Sequence, residues 1–134
     1  MAKHYSSRPR ARDLYETKNH AREIHVIIYT KENGKQHLTI RKWYELSNKS
    51  FVYHRIDGPA IKDDQGYEIW CKENKYHRID GPAVVDPSNG HMGWFIEGDF
   101  IPTEEEFKKL IQEVRDMPLV LRLIDPRKWV REFK

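Results

Sequence analysis

Short stretches of alternating apolar and polar residues run through most of this chain, and a helical period appears only near its end. Ile24-His25-Val26-Ile27-Ile28-Tyr29 is dense in β-branched and aromatic side chains and predicts a strand. Asn33-Gly34 follows, the strongest short hairpin signal. The return strand is expected to run through Leu38 and Ile40 to Trp43 and Tyr44. Beyond it, short aromatic and β-branched runs are separated by Asp63-Asp64-Gln65-Gly66 and Asp86-Pro87-Ser88-Asn89-Gly90, which are turn sequences. From Thr103 the period changes. Phe107, Leu110, Ile111 and Val114 fall at i, i+3, i+4 and i+7, one apolar stripe of a helix. Thr103 with Glu106 forms a capping box, and the acids at 104–106 suit the helix dipole.

Pro118 should end this helix. Residues 119–124 are apolar apart from Arg122 and fit a strand or a buried helix equally. Asp125-Pro126 reads as an N-cap and first helical residue, starting a short helix with Trp129, Val130 and Phe133. At the other end, residues 1–22 are polar and basic. A short helix over residues 11–20 would have only Leu14 and Tyr15 as apolar anchors, so an arm that docks weakly or orders on a partner is expected.

The middle of the chain is a tandem repeat. Tyr-His-Arg-Ile-Asp-Gly-Pro-Ala occupies residues 53–60 and again 76–83 without a difference. Each unit reads as an aromatic strand, a polar hairpin, the octapeptide and a short Ala-Ile or Ala-Val strand. The hairpins centre on Asn48-Lys49 and Asn74-Lys75, and the first is longer by four residues, an insertion that a loop absorbs at little cost. A partial third unit starts at Trp94-Phe95-Ile96 with a turn at Glu97-Gly98-Asp99, and the helix from Thr103 follows where an octapeptide would stand. Trp43, Trp70 and Trp94 open successive units and are expected to form an internal ladder.

These patterns predict an α+β fold: an antiparallel, curved sheet of tandem β-hairpin repeats, a C-terminal capping helix and a further short helix. The organisation expected is a basic arm over 1–22, a repeat sheet over 23–102 and a helical cap over 103–134, in one domain overall. Four Trp, seven Tyr and five Phe offset a hydrophobic content of only 38%. The net charge of +3 conceals basic ends. Residues 1–22 hold six Lys/Arg against two acids, and residues 118–134 hold five against two. Such ends suit phosphate or an acidic protein, and equally suit solvated termini. The single cysteine, Cys71, cannot make an internal disulfide. No signal-peptide pattern and no run of the roughly 20 apolar residues of a membrane span are present, so a cytoplasmic protein without a membrane is expected.

The octapeptide carries the candidate chemistry. Asp57-Gly58 and Asp80-Gly81 read as turns, with glycine available for positive φ. An Asx-turn uses the amide two residues ahead, but Pro59 and Pro82 have none. Each aspartate must therefore find the Ala60 or Ala83 amide, Arg55 or Arg78, or an imidazole. His54, Arg55, Asp57, His77, Arg78 and Asp80 are accordingly read as a structural turn clasp. The alternative makes His54, Asp57, His77 and Asp80 catalytic or metal-binding. Against it, stacked repeats present such groups side by side, and no Ser, Thr or Cys nucleophile accompanies them at a recognised spacing. Neither a metal nor a cofactor is expected.

The pattern Trp-x-x-x-Asn-x-x-His-Arg-x-Asp-Gly-Pro-Ala, here residues 70–83, resembles the short β-hairpin repeats of uncharacterised phage and bacterial proteins related to MORN-like repeats. Trp94-Phe95-Ile96-Glu97-Gly98, then Thr103, Glu105, Glu106 and Phe107, is similar to how such arrays finish in a capping helix. The resemblance covers roughly residues 40–112 and implies neither enzyme chemistry nor site residues. It implies a phage origin and hence a host-cell setting. The leading expectation is thus a non-catalytic protein-binding module, a phage-encoded inhibitor or modulator of a host protein, with counter-defence one version. The partner-binding residues expected are Arg8, Arg10, Arg12, Arg127, Lys128, Trp129 and Arg131, although packing under the sheet is the leading use expected of the Trp129 and Phe133 rings. The alternatives are a nucleic-acid-binding protein using its basic arm, and a His/Asp-dependent hydrolase or nuclease.

Overall fold

The computed structural model describes residues 13–20, 23–47 and 50–133. The chain is an open, mostly antiparallel sheet of short strands with two helices, an α+β architecture. Strand β1 (Asp13–His20) pairs with β2 (Glu23–Glu32) along its whole length, from Asp13 opposite Thr30 to His20 opposite Glu23. The helix expected over residues 11–20 is therefore not formed. A segment with two apolar anchors gains more from a full ladder of backbone hydrogen bonds on β2 than from weak helix propensity. This part of the expected arm belongs to the sheet, while Arg8, Arg10 and Arg12 lie outside the described residues.

β3 (Lys35–Ser47) returns from the Asn33-Gly34 turn, whose positive φ angles of 54° and 77° are those of a two-residue hairpin. β4 (Ser50–Tyr53) folds back on the end of β3, and residues 48–49 between them lie outside the described residues. The octapeptide then carries the chain to β5 (Ile61–Asp63), which pairs with the middle of β3. β6 (Glu68–Ile69) follows through the Gly66 turn, and β7 (Cys71–Lys72) and β8 (Lys75–Tyr76) form a separate two-stranded hairpin. Its turn is Glu73-Asn74, both at positive φ, one residue earlier than the sequence pattern placed it. β9 (Val84–Asp86), β10 (His91–Ile96) and β11 (Asp99–Ile101) complete the path β1-β2-β3-β5-β6-β9-β10-β11.

Two apolar clusters hold these layers. The first joins Ile28, Ile40, Ala60, Ile61, Tyr67, Ile69 and Cys71 across the sheet. The second packs α1 (Glu104–Arg115) on the last unit, with Phe107, Ile111 and Val114 against Ile96, Trp129 and Val130. The Thr103 hydroxyl accepts from the Glu106 amide at 3.1 Å, the capping contact the sequence predicts. The ambiguous apolar segment is helical, α2 (Leu119–Ile124), but it is not buried. A 3-10 turn (Lys128–Glu132) ends the described chain. It starts later than Asp125-Pro126 implied, because the Asp125 carboxylate accepts from the Arg127 amide at 2.8 Å and makes a turn of its own.

Candidate functional site

The two octapeptides fold alike because each is threaded between the hairpin before it and the hairpin after it. The His54 and His77 amides donate to the Trp43 and Trp70 carbonyls. The Arg55 and Arg78 amides donate to the Cys71 and Phe95 carbonyls of the following unit. Beyond the proline, Ala60 and Ala83 are completely buried and their amides donate to Ile69 and Gly93.

Of the three donors open to the aspartates, arginine is the one used. Arg55 Nε donates to Asp57 at 3.2 Å and its Nη1 donates to the Pro59 carbonyl at 3.2 Å. In the second copy Arg78 Nε reaches Asp80 at 2.8 Å and Nη1 reaches the Pro82 carbonyl at 3.1 Å. Each guanidinium also covers the indole that opens its unit, 3.8 Å from the ring centre of Trp43 or Trp70. The tryptophans are accordingly half-buried and lidded by arginine rather than enclosed in the core, and Trp94, whose unit has no octapeptide arginine, packs toward the α1 cluster. Gly58 and Gly81 do not use the positive φ that glycine makes available, in keeping with the prolines that follow them. Their lack of a side chain matters for another reason: a Cβ would stand 2.6 Å from the Arg55 guanidinium carbon and 2.9 Å from that of Arg78.

The histidines do not bind the aspartates. His54 Nδ1 accepts from the Glu73 amide at 3.0 Å and His77 Nδ1 accepts from the Glu97 amide at 2.9 Å, so each caps the turn of the next hairpin. With Nδ1 an acceptor, the ring proton sits on Nε2 and faces a carboxylate. For His54 this is Glu45, at 3.1 Å. For His77 it is Glu132 of the C-terminal turn, whose two oxygens lie 3.0 and 2.9 Å away. Lys72 joins this group, 3.1 Å from Glu132 and 3.5 Å from Glu97. Burial pushes the Glu132 carboxyl up, but His77 and Lys72 outweigh it and hold it below the ordinary value. The same carboxylates, against the effect of burial, hold the Lys72 ammonium above its own.

His54, Asp57, His77 and Asp80 nevertheless line one cleft of about 380 Å³, with Trp70, Lys72 and Glu132 among its other walls. They share the space without converging on one point. Asp57 and Asp80 are well exposed and held by their own arginines, while each imidazole faces away to its own carboxylate and turn. Among the described residues no group of three or more His, Cys, Asp or Glu is placed to hold a metal ion.

The basic C-terminal residues divide. Trp129 is 6% exposed and belongs to the core with Phe107 and Val114, so its ring cannot meet a partner. Arg127 is held along the Nε and Nη2 edge of its guanidinium by the two Asp125 oxygens, at 3.0 Å each, and Arg131 donates to the Asp125 carbonyl at 3.3 Å. Lys128 is exposed. The feature that residue types alone do not flag is α2: Leu119, Val120, Leu121, Leu123 and Ile124 are between 47% and 71% exposed, while Arg122 turns toward the protein. Glu45 and Glu132 also had no local signal, being brought to the histidines only by the fold. Among the described residues no helix is long and apolar enough to cross a membrane. Set beside known protein-family models, curated proteins and solved structures, the chain matches none of them.

Proposed function

We propose that this protein is a non-catalytic protein-binding module, and that α2 with the neighbouring Lys128 and Arg131 is its contact surface. The observation that carries this reading is the exposure of five large apolar side chains on one six-residue helix. At about 100° per residue they cover roughly 200° of the helix circumference, with Arg122 on the remaining side. Soluble chains rarely leave such a contiguous apolar patch uncovered unless it meets a partner. An arc this wide suits insertion into an apolar groove, the mode by which amphipathic helices are received by other proteins. The setting that the MORN-like resemblance suggests is a phage-encoded modulator of a host protein.

Two further features support binding over chemistry. Both octapeptide imidazoles spend their Nδ1 lone pairs on turn amides, and their Nε2 positions face carboxylates. The acidic side chains of the shared cleft are likewise engaged by Arg55, Arg78 and Lys72. The test is capture from a host lysate on the immobilised full chain, beside a Leu121→Asp/Ile124→Asp variant. A protein retained by the first and lost from the second, at an affinity that hardly varies with salt, supports the reading. Equal retention on both removes α2 from the contact. Retention of nucleic acid that falls steeply with salt would instead favour phosphate binding by the basic ends.

A further inference from the structure

Beside α2, two arginines have no acid partner among the described residues. Arg115, in the last turn of α1, makes one described contact, its guanidinium 5.8 Å from the Phe133 ring centre. The Arg122 side chain makes one described hydrogen bond, a long one of 3.4 Å from Nη1 to the Phe133 carbonyl. Its Nε is buried and has no hydrogen-bond partner among the described residues. Buried donors are almost always paired, because an unpaired one has given up water and gained nothing in return. Both arginines line the same cavity of about 400 Å³, whose other walls are Ile79, Glu132 and Phe133.

From this geometry we infer a binding site for a small organic oxyanion, a carboxylate or a phosphate ester. The Arg122 guanidinium lines the cavity, and a small turn of it would aim the edge formed by Nε and Nη2, two parallel donors at the spacing of two oxygens on one carbon or phosphorus, at a ligand. Arg115 adds a second, exposed cation. Its place at the C-terminus of α1 suits the helix dipole, which uses its charge and leaves its donors available. Glu132 is the one acid among the described residues of the wall, and its two oxygens are committed to His77 and Lys72, so the described lining is cationic in balance. The volume exceeds what a bare anion needs, and Ile79 with Phe133 offers an apolar wall for the organic part.

Titration calorimetry on the full chain tests the site, with phenyl phosphate, benzoate and inorganic phosphate as probes and chloride at matched ionic strength as control. Binding of phenyl phosphate or benzoate, weakened about tenfold or more by either Arg115→Gln or Arg122→Gln and unchanged by Arg131→Gln, is the expected result. The preferred probe separates the sources: phenyl phosphate alone points to a phosphoryl group, whereas benzoate binding equally well points to a carboxylate. Arg115 is exposed, so Arg115→Gln leaves the fold intact even where Arg122→Gln does not. No heat beyond the chloride control, or binding untouched by Arg115→Gln, overturns the inference.

Discussion

The Arg78 guanidinium lies 3.8 Å from the ring centre of Trp70. The same side chain holds Asp80 and the Pro82 carbonyl, so one residue ties the start of its unit to the bend that ends it. Arg55 repeats the arrangement on Trp43, Asp57 and Pro59, which identifies the duplicated octapeptide as a duplicated clasp.

The first prediction concerns the glycine beneath that clasp. Gly81→Ala places a Cβ 2.9 Å from the Arg78 guanidinium carbon, and the guanidinium must leave the indole. Losing an exposed cation–π contact of about 0.5–1 kcal/mol and a hydrogen bond of about 1 kcal/mol outweighs the roughly 0.4–1 kcal/mol gained by stiffening the unfolded chain. A net loss of about 1 kcal/mol in urea denaturation is expected. In an Arg78→Ala background the sign reverses, since only the unfolded-chain term remains. Equal costs in both backgrounds would show that the arginine is not what requires the glycine.

A second prediction separates the two histidines. His77 is 7% exposed and joins the Glu97 turn to Glu132 of the C-terminal turn. His77→Ala leaves a turn amide and a half-buried carboxylate without their partner, at about 2–4 kcal/mol. His54→Ala is expected to cost less, because Glu45 lies on the sheet strand that also carries the Trp43 carbonyl bonded to the His54 amide. Hydrogen exchange of the Glu97 amide should quicken in the first variant and not in the second.

The pH dependence follows from Glu132. Its carboxyl is held below the ordinary 4.5 because its interactions with His77 and Lys72 exceed the effect of burial, so the folded state binds that proton less readily than the unfolded chain. The stability it contributes is complete above about 4.5 and disappears as pH falls through the lower folded value. Glu132→Gln should cost about 1–3 kcal/mol near neutral pH and progressively less under acid conditions. Denaturation midpoints between neutral pH and acid check this, and a gap that widens with acidification would contradict it.

Cys71 gives a fourth. The thiol is 4% exposed, and burial pushes it up to about 12. The reactive thiolate is therefore scarce as well as hidden. A thiol reagent at mildly alkaline pH should label the folded chain at least ~100-fold more slowly than the urea-unfolded chain. Labelling at the unfolded rate would place Cys71 outside the core.

What the sequence determined by itself is whatever depends on groups a few residues apart. Asn33-Gly34 makes its hairpin, Thr103 caps its helix, and the stripe from Phe107 to Val114 is buried apart from a half-buried Leu110, because each signal and its partner lie within a turn or two. Arginine was one of three donors the prolines at 59 and 82 left to the aspartates, a candidate because Arg55 and Asp57 are two residues apart, and the folded bend chose it. Tertiary structure decided the rest. Glu132 meets His77 across 55 positions, a distance no local pattern spans. Residues 13–20 became a strand because β2 offered a free edge, not because their own composition asked for one. The apolar run at 119–124 shows the division most plainly. Its hydrophobicity is written in the sequence, but whether it lies inside or outside depends on what space Trp129, Val130 and α1 had already filled, and they left it on the surface.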